Sequence, residues 1–85
     1  MTYSIQIKAS AAKDLARITK PDRRRIAAAI DLLAEQPHRG SLLKGELRGL
    51  RRIRIGDYRV VYEVLDTELI VLIIRISHRR EVYRR

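Results

Sequence analysis

Apolar and polar residues alternate from Tyr3 to Lys8, with Tyr3, Ile5 and Ile7 on one side, and this period of two predicts a first strand. The period then lengthens. Ser10 can cap a short helix carrying Leu15 and Ile18. Pro21-Asp22 marks a break and a second helix start, since proline is tolerated in a first turn. Ile26, Ile30 and Leu33 recur at helical spacing, with Ala27 and Ala34 beside them, and this helix should end before Pro37. The two helices form an αα-hairpin with an apolar seam. His38 to Leu47 reads as a loop punctuated by Gly40 and Gly45. From Leu50 the period returns to two. Leu50 to Ile55 predicts a strand, Gly56-Asp57 a two-residue hairpin turn in which glycine accepts a positive φ, and Tyr58 to Leu65 the returning strand. Asp66, Thr67 and Glu68 turn the chain again. Leu69 to Ser77 is nearly continuous in apolar residues, as a central strand covered on both faces would be. The order β-α-α-β-β-β predicts an α+β fold: a helical hairpin packed on one face of a mostly antiparallel four-stranded sheet.

Eighty-five residues fit one domain, 1–85, without repeat or linker. The absence of cysteine excludes disulfides and Cys-based zinc sites, and His38 and His78 are too few for a histidine metal cluster. Thr2-Tyr3-Ser4 opens no apolar run of the kind a signal peptide needs, and the longest apolar stretch, Leu69 to Ile74, is far too short to span a bilayer. The expected location is the cytoplasm. Nineteen Lys and Arg against ten Asp and Glu leave a net charge of +9, which points to a polyanionic partner. After Lys44 every Lys or Arg is arginine, whose planar fork binds phosphate in bidentate fashion and stacks on bases. Arg23-Arg24-Arg25 points in three directions around a helix and reads as solvated surface rather than one binding stripe.

The Gly56-Asp57 turn fixes a register. Ile55 should face Tyr58, Arg54 should face Arg59, Ile53 should face Val60, and Arg52 should face Val61. Ile53, Ile55, Tyr58 and Val60 then pack on the helices, while Arg52, Arg54 and Arg59 share the other face. Like charges directly across a ladder are destabilising, which an anion bound between them would offset; otherwise both guanidinium groups splay into water. A three-residue turn at Asp66 to Glu68 would add Arg75 opposite Arg59, unless Arg75 pairs with Glu63 or Glu81. The end of the chain gathers Ser77-His78-Arg79-Arg80-Glu81-Val82-Tyr83. Histidine is the natural acid–base group near neutral pH, tyrosine can stack or move a proton, and arginine can steady a phosphorane.

The run from Gly49 to Val64, Gly-Leu-Arg-Arg-Ile-Arg-Ile-Gly-Asp-Tyr-Arg-Val-Val-Tyr-Glu-Val, resembles the central signature of the RelE/ParE toxin superfamily, and Ile76 to Tyr83 resembles its closing motif. The resemblance covers essentially the whole chain. It implies a RelE-like fold and the toxin of a type II toxin–antitoxin pair. The implied activity is that of a ribosome-dependent endoribonuclease that requires no metal or cofactor. It would cleave mRNA in the A site by 2′-hydroxyl attack on the adjacent phosphate and so inhibit translation. A cognate RelB-like antitoxin would block the site and supply contact to operator DNA; no membrane is implied. Arg59 stands at the family's strand arginine on the scissile phosphate, Arg79 at the arginine that stabilises the transition state or leaving group, and Tyr83 at the tyrosine that stacks on the substrate base. Arg52 and Arg54 stand where a well-studied RelE toxin has lysines, one proposed as general base; arginine stays protonated, so the acid–base work is expected to fall partly to His78. Arg51, Arg52, Arg54, Arg75 and Arg80 are the candidate RNA- and phosphate-binding residues, with Arg54 also close to the chemistry. Two other functions fit the same residues less completely: a ParE-type toxin of the same fold that poisons gyrase, and a non-catalytic basic RNA-binding module, marked by steep salt dependence without cleavage. Leu42, Leu43 and Leu47 are either an antitoxin groove or ordinary loop packing.

Overall fold

A computed structural model describes residues 2–78. Its strands and helices are β1 (Ser4–Ile7), α1 (Ala9–Ala16), α2 (Lys20–Leu32), β2 (Ser41–Leu42), β3 (Arg51–Ile55), β4 (Tyr58–Leu65) and β5 (Ile70–His78). They form one sheet in the order β1-β5-β4-β3-β2, antiparallel except for β1, which runs parallel to β5. The α+β architecture is the expected one, with one strand more. β2 lies inside the segment read as a loop, and its two residues pair with Arg52 and Arg51. Two residues carry no readable alternation, which is why periodicity passes over them.

Tertiary packing decides the helix ends. The N-cap of α1 is Lys8 rather than Ser10, and the Ser10 hydroxyl instead donates to the Ile74 carbonyl at 2.8 Å. Ile18 falls just beyond α1 and is buried all the same. Pro21 sits in the first turn of α2, where its missing N–H costs nothing. Ile26 and Ile30 of α2, with Leu33 at its C-cap, meet Val60 and Tyr62 of β4 and Val71, Ile73 and Ile76 of β5 in one core. Each such aliphatic side chain, fully removed from water, contributes about 1.5–3 kcal/mol. Ile53, Ile55 and Tyr58 pack against this core, so the helix-facing side of the hairpin is the predicted one.

Three core residues of β5 break strict alternation: Val71 and Ile73 are two apart, but Ile76 is three further on. A bulge reconciles them. Val61 pairs with Arg75 while Tyr62 pairs with Ile73, leaving Ile74 as an extra residue on β5. The β4–β5 connection is also longer than three residues, since Leu65 pairs with Ile70 and Leu69 adopts φ 58° within the turn. These two facts place Arg75 opposite Val61, and Ser77 takes the position opposite Arg59.

Candidate functional site

The hairpin register is the one the Gly56-Asp57 turn demands: Arg52↔Val61, Ile53↔Val60, Arg54↔Arg59 and Ile55↔Tyr58. Gly56 has φ 59°, as the turn requires. Arg54 and Arg59 are therefore direct cross-strand neighbours, and Arg52, two residues along β3, shares their face. Their exposures differ. Arg54 is open to solvent, Arg52 is half-buried, and Arg59 is 8% exposed, the one charged residue in the buried class among the described residues. Such a charge is held only at the cost of its hydration, so its place in the sheet must be compensated by partners.

His78 lies at the same end of the sheet but on the other face. It pairs with Tyr58, and their rings meet edge to face with centroids 5.3 Å apart. Alternation along β5 thus gives Ser77 to the arginine face and His78 to the helix face. Arg75 shares the arginine side by register, yet its Nε lies 3.5 Å from Asp14 Oδ2 of α1, not beside Glu63. Arg51, next to Arg52 in sequence, is not brought to the arginine face: its Nη1 donates to the carbonyls of Gly40 at 2.8 Å and His38 at 3.1 Å. Arg79, Arg80, Glu81 and Tyr83 lie outside the described residues.

The opposite end of the hairpin holds a polar clasp that periodicity does not reveal. Tyr62 Oη is buried, donates to the Pro37 carbonyl at 2.8 Å and accepts from the Gly40 amide at 2.9 Å; burial pushes this phenol's pKa up. A Cβ on Gly40 would stand 2.6 Å from Tyr62 Oη and 2.7 Å from the Arg52 carbonyl, so only glycine fits there. On the surface nearby, Tyr3 Oη donates to Asp66 Oδ1 at 2.6 Å, and His38 Nε2 lies 3.1 Å from Oδ1 and 3.3 Å from Oδ2 of the same carboxylate. The Tyr3 hydrogen bond, then that of His38, holds the Asp66 carboxyl below its usual range, and the same bond raises the Tyr3 phenol. No group of three or more His, Cys, Asp or Glu side chains suited to a metal ion occurs among the described residues.

Between α2 and β3 a groove of about 310 Å³ is lined by Ala29, Leu32, Arg39, Gly40, Ser41, Arg52, Ile53, Arg54 and Ile55. Leu32, which lines the groove, is 52% exposed, and Leu42 and Leu47 are 60% and 44% exposed. No helix in the described residues is long and apolar enough to cross a membrane.

Residues 5–83 match the family model described as the ParE toxin of type II toxin–antitoxin systems. The chain is similar to toxin RelE of Mycobacterium tuberculosis, with 42% identity over 96% of this chain and 87% of that protein. It is similar to toxin RelG of the same organism, with 34% identity over the full length of both. Its fold is similar to that in the toxin–antitoxin complex RelBE2 of M. tuberculosis, with a TM-score of 0.87 and 28% identity over 93% of each chain.

Proposed function

This chain belongs to the RelE/ParE superfamily of toxins of type II toxin–antitoxin systems, and from that membership we propose that it is a ribosome-dependent endoribonuclease acting on mRNA in the A site. The observation that carries the proposal is the Arg54↔Arg59 pair beside Arg52, three guanidinium groups on one sheet face. Phosphate is the ligand that turns such a cross-strand repulsion into attraction. In the reaction the ribose 2′-oxygen attacks the adjacent phosphorus and loses its proton. The P–O5′ bond breaks, and the leaving oxygen takes a proton, giving a 2′,3′-cyclic phosphate and a 5′-hydroxyl. No metal or cofactor takes part. Arg59 contacts the scissile phosphate, Arg54 and Arg52 share its charge, and Arg79 stabilises the leaving group. Tyr83 stacks on the base, and Arg75 and Arg80 extend the contact along the RNA backbone. An arginine cannot act as base at Arg52 or Arg54. His78, at the sheet end next to Tyr58, serves part of the proton transfer from there.

The protein acts in the cytoplasm and is silenced by a RelB-type antitoxin, whose own DNA-binding segment brings the pair to its operator. Antitoxin complexes of similar toxins support this partner. The matched ParE model supports a second reading, a toxin that poisons gyrase. Cleavage mapping in a reconstituted translation reaction separates the two. It compares wild type, an Arg59→Ala/Arg79→Ala variant and a ribosome-free control. Cuts at A-site codons that need ribosomes and vanish in the variant are the expected result. Intact mRNA together with inhibited supercoiling in a gyrase assay would overturn it.

A further inference from the structure

β1 covers one edge of β5 only as far as the Ile7↔Ile73 pair. Beyond it, at the bulge, β5 presents backbone groups that no strand of the described residues receives on that side. Side chains of α1 take them instead. Ser10 Oγ donates to the Ile74 carbonyl at 2.8 Å, and Asp14 Oδ2 accepts from the Ile76 amide at 3.0 Å. Ser10 and Asp14 are four residues apart and so share one helix face. The Asp14 side chain is 17% exposed and also lies 3.5 Å from Arg75 Nε. The helix thus does for β5 what a further stretch of β1 would have done.

The offset these two side chains satisfy has a consequence for the site. Without the extra residue, alternation from Val71 and Ile73 would carry Arg75 and Ser77 into the core and turn Ile76 and His78 outward. With it, Ile76 is buried, Ser77 stands opposite Arg59, and His78 meets Tyr58. We infer that Asp14, assisted by Ser10, is a positioning residue: by holding the Ile74 bulge from α1 it sets the face on which each residue of the Arg75–His78 segment stands relative to Arg59. It touches neither substrate nor reacting atoms. Its effect on cleavage rests on the nuclease reading above, whereas its effect on strand placement does not.

The test compares wild type, Asp14→Ala, Asp14→Asn and Ser10→Ala by cross-strand NOEs and by A-site cleavage per folded molecule. Asp14→Ala should lose the Arg59–Ser77 and Tyr58–His78 NOEs while the core methyl groups of Ile26 and Val60 stay dispersed. Its rate at saturating ribosomes should fall about tenfold or more, with half-saturation moving less than about twofold, the pattern of misplaced groups rather than lost binding. Asp14→Asn keeps an oxygen for the Ile76 amide and should retain both NOEs and a rate within about threefold of wild type. A residue that merely stabilises the fold would move the melting temperature in both variants and leave the rate per folded molecule alone; that result, with NOEs intact in Asp14→Ala, overturns the inference. Should Asp14→Ala not fold, Ser10→Ala decides: a partial loss of the same NOEs supports the assignment, and no change overturns it. If wild type itself cuts no RNA, the nuclease reading fails, and the NOEs alone still decide whether Asp14 places the strand.

Discussion

Each end of the β3–β4 hairpin holds an arginine, a histidine and a tyrosine, and the two sets do different work. At one end Arg51, His38 and Tyr62 are engaged by neighbours in their own fold: Arg51 by two carbonyls, His38 by Asp66, Tyr62 by Pro37 and Gly40. At the other, Arg54 faces Arg59 across the ladder and His78 rests edge-on against Tyr58. The first set closes a loop onto the sheet. The second concentrates positive charge on one sheet face, with His78 at the same end of the sheet on the opposite face. Residue type therefore says little about role. The face and the partner decide it, and Arg51 and Arg52 show this most economically, being adjacent in sequence and opposite in orientation.

Five substitutions test this contrast. The largest effect is expected at the charged end: His78→Ala should lower the single-turnover cleavage rate about 100-fold and change its pH profile. Cleavage at the wild-type rate with an unchanged profile would remove His78 from the acid–base work. Tyr62→Phe should leave the rate per folded molecule unchanged but cost about 1–3 kcal/mol in urea unfolding, because the Gly40 amide is left buried without its acceptor. Arg51→Ala and Arg52→Ala form a matched pair. The first should cost about 1–2 kcal/mol of stability with little change in rate, and the second should lower cleavage about tenfold with little change in stability. Equal effects from the two would dissolve the distinction between the faces.

The smallest effect is a pH dependence at Asp66. Its folded pKa lies below the unfolded value, so the unfolded chain binds the proton first on acidification. The stabilisation is complete above the unfolded value of about 3.9 and is lost as pH falls through the depressed folded value. Asp66→Asn should therefore be slightly less stable than wild type near neutrality, with the gap closing below about pH 4. A gap that stayed constant in acid-titrated unfolding curves would mean that the carboxylate contributes nothing through its charge.

How far the fold could be read in advance depended on whether its determinants were local. The Gly56-Asp57 turn states its own geometry, and the whole register of β3 with β4 followed from it. The placement of β5 did not, because the groups that accommodate its bulge sit on α1, 62 residues away in the case of Asp14 and Ile76. The only local sign was the interval of three between Ile73 and Ile76, a break in alternation inside a run so apolar that it hardly shows. The clasp was hidden for the same reason, since Tyr62 bonds to Gly40 and Pro37, 22 and 25 residues away. In the candidate site the arginine face was legible, being a product of one hairpin. The side of the sheet taken by His78 was not, because that depends on the bulge.

The parallel pairing of β1 with β5 carries a meaning for synthesis. Among the described residues β5 is the last strand to be made, yet it lies between β1 and β4 and supplies Val71, Ile73 and Ile76 to the core. Until residues 70–78 have left the ribosome, β1 has no partner in the sheet and α1 has nothing to dock against through Ser10 and Asp14. Contacts of such long sequence separation form late and slowly. A nascent chain of this protein therefore cannot close its sheet or anchor α1 until residues 70–78 have emerged, however early the β3–β4 hairpin with its arginine face is made.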